Sequence, residues 1–159
     1  MGDRPRPVIV PPGDGHTIEG PVGGPLTFKV RGEESAGRLT ALENVIPPGE
    51  GPPMHVHAGE DEAWYVIAGD LRFSLDGELH PATAGSFVFV PRGAPHCFQN
   101  VGTEPARLLV LFTPSGMERF FERFATLPAG RVDPESFRTA GAEAGMDVVG
   151  PPLAVSHPA

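Results

Sequence analysis

Between Leu26 and Thr113 the chain alternates apolar and polar residues in short runs, each closed by glycine, proline or aspartate. Period-2 patterning cut every few residues by turn formers predicts β-strands. Leu26 to Arg31 (LTFKVR) opens the series. Arg38 to Ile46 (RLTALENVI) follows, with Leu39, Ala41, Glu43 and Val45 on one face. Pro47-Pro48-Gly49 ends it, because proline has no N–H for a central ladder. Glu62 to Ala68 (EAWYVIA) puts Glu62, Trp64 and Val66 on a common face. Gly69-Asp70 turns the chain into Leu71 to Leu75 (LRFSL), and Asp76-Gly77 signals a two-residue hairpin before Glu78-Leu79-His80. Phe87 to Val90 (FVFV) is apolar on both faces, the pattern of a strand deep in a sandwich. His96 and Phe98 point one way, Cys97 and Gln99 the other, and Ala106 to Thr113 (ARLLVLFT) is the last strong strand.

The texture changes at Pro114. Ser115 followed three residues later by Glu118 reads as a capping box opening a helix through about Ala125. Met117, Phe120, Phe121 and Phe124 give that helix a wide apolar face, suited to packing on the barrel or on a second subunit. Asp133-Pro134-Glu135 reads as a second helix start and Gly145 as its end. Residues 1–25 are rich in proline and glycine and read as an arm over the domain or over a partner subunit. The tail from Gly150 is again proline-rich and is expected to be poorly ordered. The expected organisation is an arm at 1–25, one all-β barrel at 26–113 and a helical extension with tail at 114–159.

Composition narrows the function class. Twenty-one glycines and twenty prolines in 159 residues match many short strands joined by tight turns. A net charge of −8 without a basic cluster argues against a nucleic-acid partner, which needs clustered positive charge. No run approaches the ~20 apolar residues of a membrane span, and the first residues carry no apolar core of a secretory signal. One cysteine, Cys97, cannot form an internal disulfide, consistent with a cytoplasmic location.

Four side chains carry the candidate chemistry. His55 and His57 lie two apart and share a face, Glu62 follows five residues later, and His96 stands on a later strand. Three imidazoles and a carboxylate suit one divalent Fe, Mn, Co, Ni, Cu or Zn ion better than Mg or Ca. Glu60 and Asp61, beside Glu62, read as exposed strand carboxylates. His16, His80 and His157 lack partners in the pattern and read as solvated, and Cys97 as a small buried hydrophobe. Strand parity makes Trp64, Val66, Phe73 and Phe98 candidate pocket residues, with Met54 at the mouth.

These residues fall into two segments. Gly49, His55, His57, Glu62 and Gly69 form the first, and Gly85, Pro91, Gly93, His96 and Asn100 the second, fifteen residues later. Together they resemble both motifs of the cupin superfamily at every fixed position. Within it, the chain looks most like the small single-domain proteins similar to quercetin 2,3-dioxygenase. The resemblance implies a double-stranded β-helix, or jelly-roll barrel, with short C-terminal helices, and a homodimer. It carries the ligand role onto His55, His57, Glu62 and His96. It also implies a dioxygenase: an aromatic or flavonol-like hydroxy-carbonyl substrate chelates the metal, Glu62 takes its proton, and O2 attacks. The same four ligands equally serve an isomerase, lyase or cyclase that leaves oxygen unused, or a non-catalytic binder of a small molecule.

Overall fold

The alternation is realised as two antiparallel sheets that face each other across one core. The structure, a computed structural model, describes residues 4–127 and 133–158. In chain order the strands are β1 (His16–Glu19), β2 (Pro25–Val30), β3 (Thr40–Ile46), β4 (Pro53–His57), β5 (Asp61–Ala68) and β6 (Asp70–Leu75). They continue with β7 (Glu78–Thr83), β8 (Phe87–Val90), β9 (His96–Asn100), β10 (Ala106–Thr113) and β11 (Met146–Pro152). Among the described residues four helices accompany them: α1 (Gly32–Ser35), α2 (Glu118–Ala125), α3 (Pro134–Glu143) and α4 (Leu153–Ser156). One sheet runs β1-β2-β3-β10-β5-β8 and the other β11-β4-β9-β6-β7. This is the all-β jelly-roll barrel with short C-terminal helices that the motifs imply.

Parity decides what each strand buries. On β3 the inward set is Thr40, Leu42, Asn44 and Ile46, with Glu43 and Val45 half-buried on the outer face. On β5 it is Glu62, Trp64 and Val66. Opposite them, Leu71 and Phe73 of β6 and Phe98 of β9 complete the centre. Asp76 (φ 50°) and Gly77 (φ 80°) both take the left-handed backbone that a tight hairpin turn needs, and they join β6 to β7. Gly51 enters β4 so close to β9 that a Cβ there would stand 1.9 Å from the Phe98 carbonyl oxygen. Only glycine fits that approach.

The helices close one mouth of the barrel. Phe120 and Phe124 of α2 are buried and pack on Phe137 of α3, with ring centroids 5.2 and 5.7 Å away. Phe121 reaches back to Phe112 of β10 at 6.0 Å. The aromatic face of α2 therefore packs on the barrel and on α3 of its own chain. Glu118 is not a capping-box partner of Ser115. Its carboxylate accepts from the backbone N–H of Gly116 (2.9 Å) and Gly32 (2.8 Å) and from the Thr40 hydroxyl. It thereby clamps α2 to α1 and β3.

Three further expectations are corrected. The arm contributes β1, whose residues pair with β2 from His16↔Phe28 to Glu19↔Pro25. The proline-rich tail holds the end of β11, which pairs with β4 from Met146↔His57 to Pro152↔Pro53, and then α4. Phe87 to Val90 is not buried on both faces: β8 is an edge strand, with Phe87 64% and Phe89 57% exposed. Among the described residues no helix is long and apolar enough to cross a membrane.

Phe120 is expected to be a keystone of the helical cap. Phe120→Ala should lower unfolding free energy by about 3–5 kcal/mol, measured from the urea midpoint with an unchanged slope. A loss below ~1 kcal/mol would show that the cap contributes little to the core.

Candidate metal centre

Four polar side chains sit inside this apolar barrel: His55, His57, Glu62 and His96 are all under 7% exposed. The imidazoles come from β4 and β9 of one sheet, and the carboxylate comes from β5 of the other. His55 and His96 are direct cross-strand partners, so alternation and register alone bring them face to face. Their ring centroids are 4.4 Å apart. Glu62 Oε2 lies 2.8 Å from His57 Nε2 and 2.9 Å from His96 Nε2. One donor atom from each of the four residues falls within 4.8 Å of the others.

These distances fit a metal. Ligand atoms about 2.1 Å from an ion and at right angles to one another stand about 3 Å apart, close to the two Glu62 contacts. The outer ring atoms fit as well. His55 Nδ1 lies 2.7 Å from the Pro53 carbonyl and His96 Nδ1 2.9 Å from that of Ala94. Those bonds place the ring proton on Nδ1 and turn Nε2 inward, the usual support for a ligating histidine. Trp64 braces His96 at 5.4 Å and Phe112 braces His57 at 5.5 Å between ring centroids.

Electrostatics within the cluster divide the proton sites. Burial, with the neighbouring His96 and His57, depresses the His55 pKa from 6.5 to about 3, so this imidazole is neutral. Burial alone would raise the Glu62 pKa, but His57 and His96 overcome it and bring the carboxyl down to about 2. Burial likewise disfavours charge on His96, yet its hydrogen bond to Glu62 outweighs that and raises its pKa. Both nitrogens of His96 face acceptors, as an imidazolium requires. A carboxylate with a pKa near 2 is a poor base while it bridges His57 and His96. To accept a proton Glu62 has to leave those bonds.

The cluster stands at one end of a partly open pocket with about 60 Å³ available to the centres of water-sized molecules. Trp64 and Phe98 line it, as strand parity suggests. Val66, Phe73 and Met54 do not. Phe73 is wholly buried between Trp64 and Phe98, at 5.2 and 5.3 Å, and Val66 fills core beside it. Met54 has the parity opposite to the histidines and packs against Gly150 of β11. The walls that strand reading missed are Leu42 and Asn44 of β3, Val110 and Phe112 of β10, and Phe120, Phe121 and Phe137 of the helical cap. The aromatic stripe of α2 was the one available signal. Cys97 is buried on the opposite face from His96, and burial pushes its thiol up to about 11, which makes it an inert apolar filler.

Glu60 is also a correction. It is 7% exposed, burial raises its pKa, and its Oε2 is buried with no hydrogen-bond partner. Asp61 is half-buried and pairs with Arg92 at 3.1 Å. His57 Nδ1 and Asn44 Oδ1 are likewise buried without a partner. His16, His80 and His157 are exposed.

The cluster sets an acid limit on the metal-free protein. The unfolded chain takes up a proton at His55 near pH 6.5, whereas the folded chain resists until about pH 3. Stability therefore falls as pH drops through that window, and Glu62 adds to the fall between about 4.5 and 2. His96 acts oppositely, giving stability below pH 6.5 that is lost as pH rises past its elevated pKa. Metal-free protein should show a falling Tm from pH 6.5 to 4, and His55→Gln should flatten that slope. An equal slope in the variant would remove His55 as its cause.

Comparison with known proteins agrees with this geometry. The Cupin domain family profile matches residues 43–112. Mannose-1-phosphate guanylyltransferase of Escherichia coli (strain K12) is 31% identical over 96 residues, covering 57% of this chain and 20% of that protein. Polyketide synthase CurC of Streptomyces cyaneus is 37% identical over 70 residues, covering 44% of this chain and 46% of CurC. This chain therefore spans less than half the length of either relative. Among solved structures, the polyketide cyclase RemF of Streptomyces resistomycificus superposes with a TM-score of 0.59 at 24% identity, over 69% of this chain and 81% of RemF. That likeness shows a shared fold. Two facing sheets, both ligand-bearing segments and the profile match agree, and residues 43–112 form a barrel that matches the Cupin domain family.

Proposed function

We propose that the chain is a metal-dependent enzyme that enolises a flat hydroxy-carbonyl or dicarbonyl substrate of the polyketide type and closes a ring on it. One observation carries the reading: a three-histidine, one-glutamate cluster ends a pocket whose other walls, Asn44 apart, are apolar and include six aromatic rings. Such walls select a planar, weakly polar molecule. The polyketide class draws support from CurC, named a polyketide synthase.

His55, His57, Glu62 and His96 would hold the ion, which when bound supplies Lewis acidity to the substrate's oxygens. Everything else falls to the chain. His55 and His96 are held by backbone carbonyls and keep their positions. Glu62 releases one imidazole, takes the proton from the substrate carbon or hydroxyl, and returns it to the oxygen that becomes the new hydroxyl. Trp64, Phe98 and Phe112 would line one side of the bound ring system, and Phe120, Phe121 and Phe137 would limit the access of water to the enolate. The carbon–carbon bond that forms consumes one carbonyl, and no electron is gained or lost.

The same apolar pocket favours a second reading, a dioxygenase on a flavonol-like substrate, in which the enolate is oxidised by O2. Turnover of an aromatic 1,3-dicarbonyl by metal-loaded protein in an oxygen electrode separates them. A cyclised product without oxygen uptake supports the first reading, and one O2 consumed per turnover supports the second. Binding without turnover, whatever divalent metal is supplied, would leave a small-molecule binder. In either reaction Glu62→Gln should retain the fold and lower kcat by about 10²-fold or more, and unimpaired turnover would remove Glu62 as proton carrier.

We also propose that two copies pair through the outer face of β5 and β8. Tyr65, Ile67, Phe87 and Phe89 are exposed there side by side, with Tyr65 opposite Phe87 in the ladder. At about 200 Å² per aromatic ring they present roughly 300 Å² of aromatic surface, a patch size that marks association. The β8 edge has unpaired backbone for a second β8, and a two-fold axis makes such an edge self-complementary. Light scattering should find a dimer that Phe89→Glu converts to monomer. A monomeric wild type would sink the idea.

A further inference from the structure

The support for the three histidines is unequal. His55 and His96 each have Nδ1 on a backbone carbonyl, at 2.7 and 2.9 Å. His57 Nδ1 is buried and has no hydrogen-bond partner. Three residues along the chain, past the bend at Ala58-Gly59, Glu60 Oε2 is in the same condition. Both side chains are more than nine-tenths buried, and neither orphan is explained by the barrel ladder. The other carboxylate oxygen, Oε1, faces the entry to α2, where a Cβ on Gly116 would lie 3.4 Å from it. Glu60 is not among the residues that line the cavity. After burial itself, His57 is the largest influence on the Glu60 carboxyl, ahead of Arg119 and Arg92.

A buried polar atom without a partner is costly, and two in one neighbourhood point to a shared arrangement. His57 Nε2 now faces Glu62 at 2.8 Å. If Nε2 turns its lone pair to a metal, the ring proton has to sit on Nδ1. That N–H then needs an acceptor in a place sealed from solvent, and no backbone carbonyl supplies one. We propose that Glu60 is the positioning residue of His57, its Oε2 accepting the Nδ1 proton directly or through one bridging water when Nε2 serves as a metal ligand. The inference rests on reading the four-residue cluster as a metal site, and it is independent of the reaction. It gives all three histidines a fixed tautomer, two through the backbone and the third through a carboxylate beneath α2. Because Oε1 faces the α2 entry, the cap and the ligand set become mechanically linked.

The test is metal affinity rather than turnover. Co²⁺ and Zn²⁺ binding is measured by competition with a chromophoric chelator for wild type, Glu60→Gln and Glu60→Leu. Glutamine keeps a carbonyl oxygen and should weaken binding only a few-fold, whereas leucine should weaken it by about 10- to 100-fold. A purely packing role predicts no such difference between the two variants in metal affinity. In Zn²⁺-loaded wild type, nitrogen NMR should show a His57 Nδ1–H protected from exchange, absent in Glu60→Leu. Unchanged affinity and an unchanged His57 signal in Glu60→Leu would overturn the pairing while leaving the metal site intact. Wild type that binds neither ion would overturn the metal reading and the pairing with it. If Glu60→Leu does not fold, a rapidly exchanging His57 Nδ1–H in wild type is decisive against the pairing and a protected one is for it.

Discussion

A carboxylate reaching across the barrel to two imidazoles is the contact around which this molecule is arranged. Glu62 leaves one sheet and meets His57 and His96 of the other in an interior that is otherwise aromatic and aliphatic. None of these groups is tolerable there alone, since an unpaired buried charge costs far more than a lost surface contact. Together they neutralise one another, and the backbone carbonyls of Pro53 and Ala94 hold His55 and His96, while His57 Nδ1 is left without a partner. The barrel thus holds four polar groups at its centre on condition that strand register is kept. A one-residue slip of β4 or β9 would send the histidines to the outer face.

The helical cap gives the cluster its chemical setting. Phe120, Phe121 and Phe137 narrow one end of the barrel to a partly open apolar pocket, which strengthens electrostatic interactions inside it. Glu118 fixes that cap by tying α2 to α1 and β3 rather than by capping its own helix in the expected way.

Much of this was legible in the order of residues. The four cluster residues stood out by type and spacing, and Asp76-Gly77 announced its hairpin. Local rules also gave Glu62 and Trp64 a common inward face. What escaped was long-range. β1 and β11 lie in proline- and glycine-rich segments with little alternation, and they are strands because a distant ladder accepts them. Glu60 looked like a surface carboxylate because parity describes strands, whereas it sits before β5 under the start of α2. Phe87 and Phe89 misled in the opposite sense, since an apolar run says nothing of whether a strand lies at an edge. Asn44 faces the cavity beside Leu42 on the parity of β3 opposite to the set formed by Leu39, Ala41, Glu43 and Val45.

The pairing of β11 with β4 has a consequence for how the molecule is made. His55 and His57 stand on a strand whose free side is covered only by Met146 to Val148 and Pro152. During synthesis those histidines emerge some ninety residues before the strand that seals them. Until then β4 is a sheet edge, and its imidazoles are open to solvent and to any ion in it. The four cluster residues are therefore complete in the chain by His96, and the strand that pairs with β4 is the last one to be made.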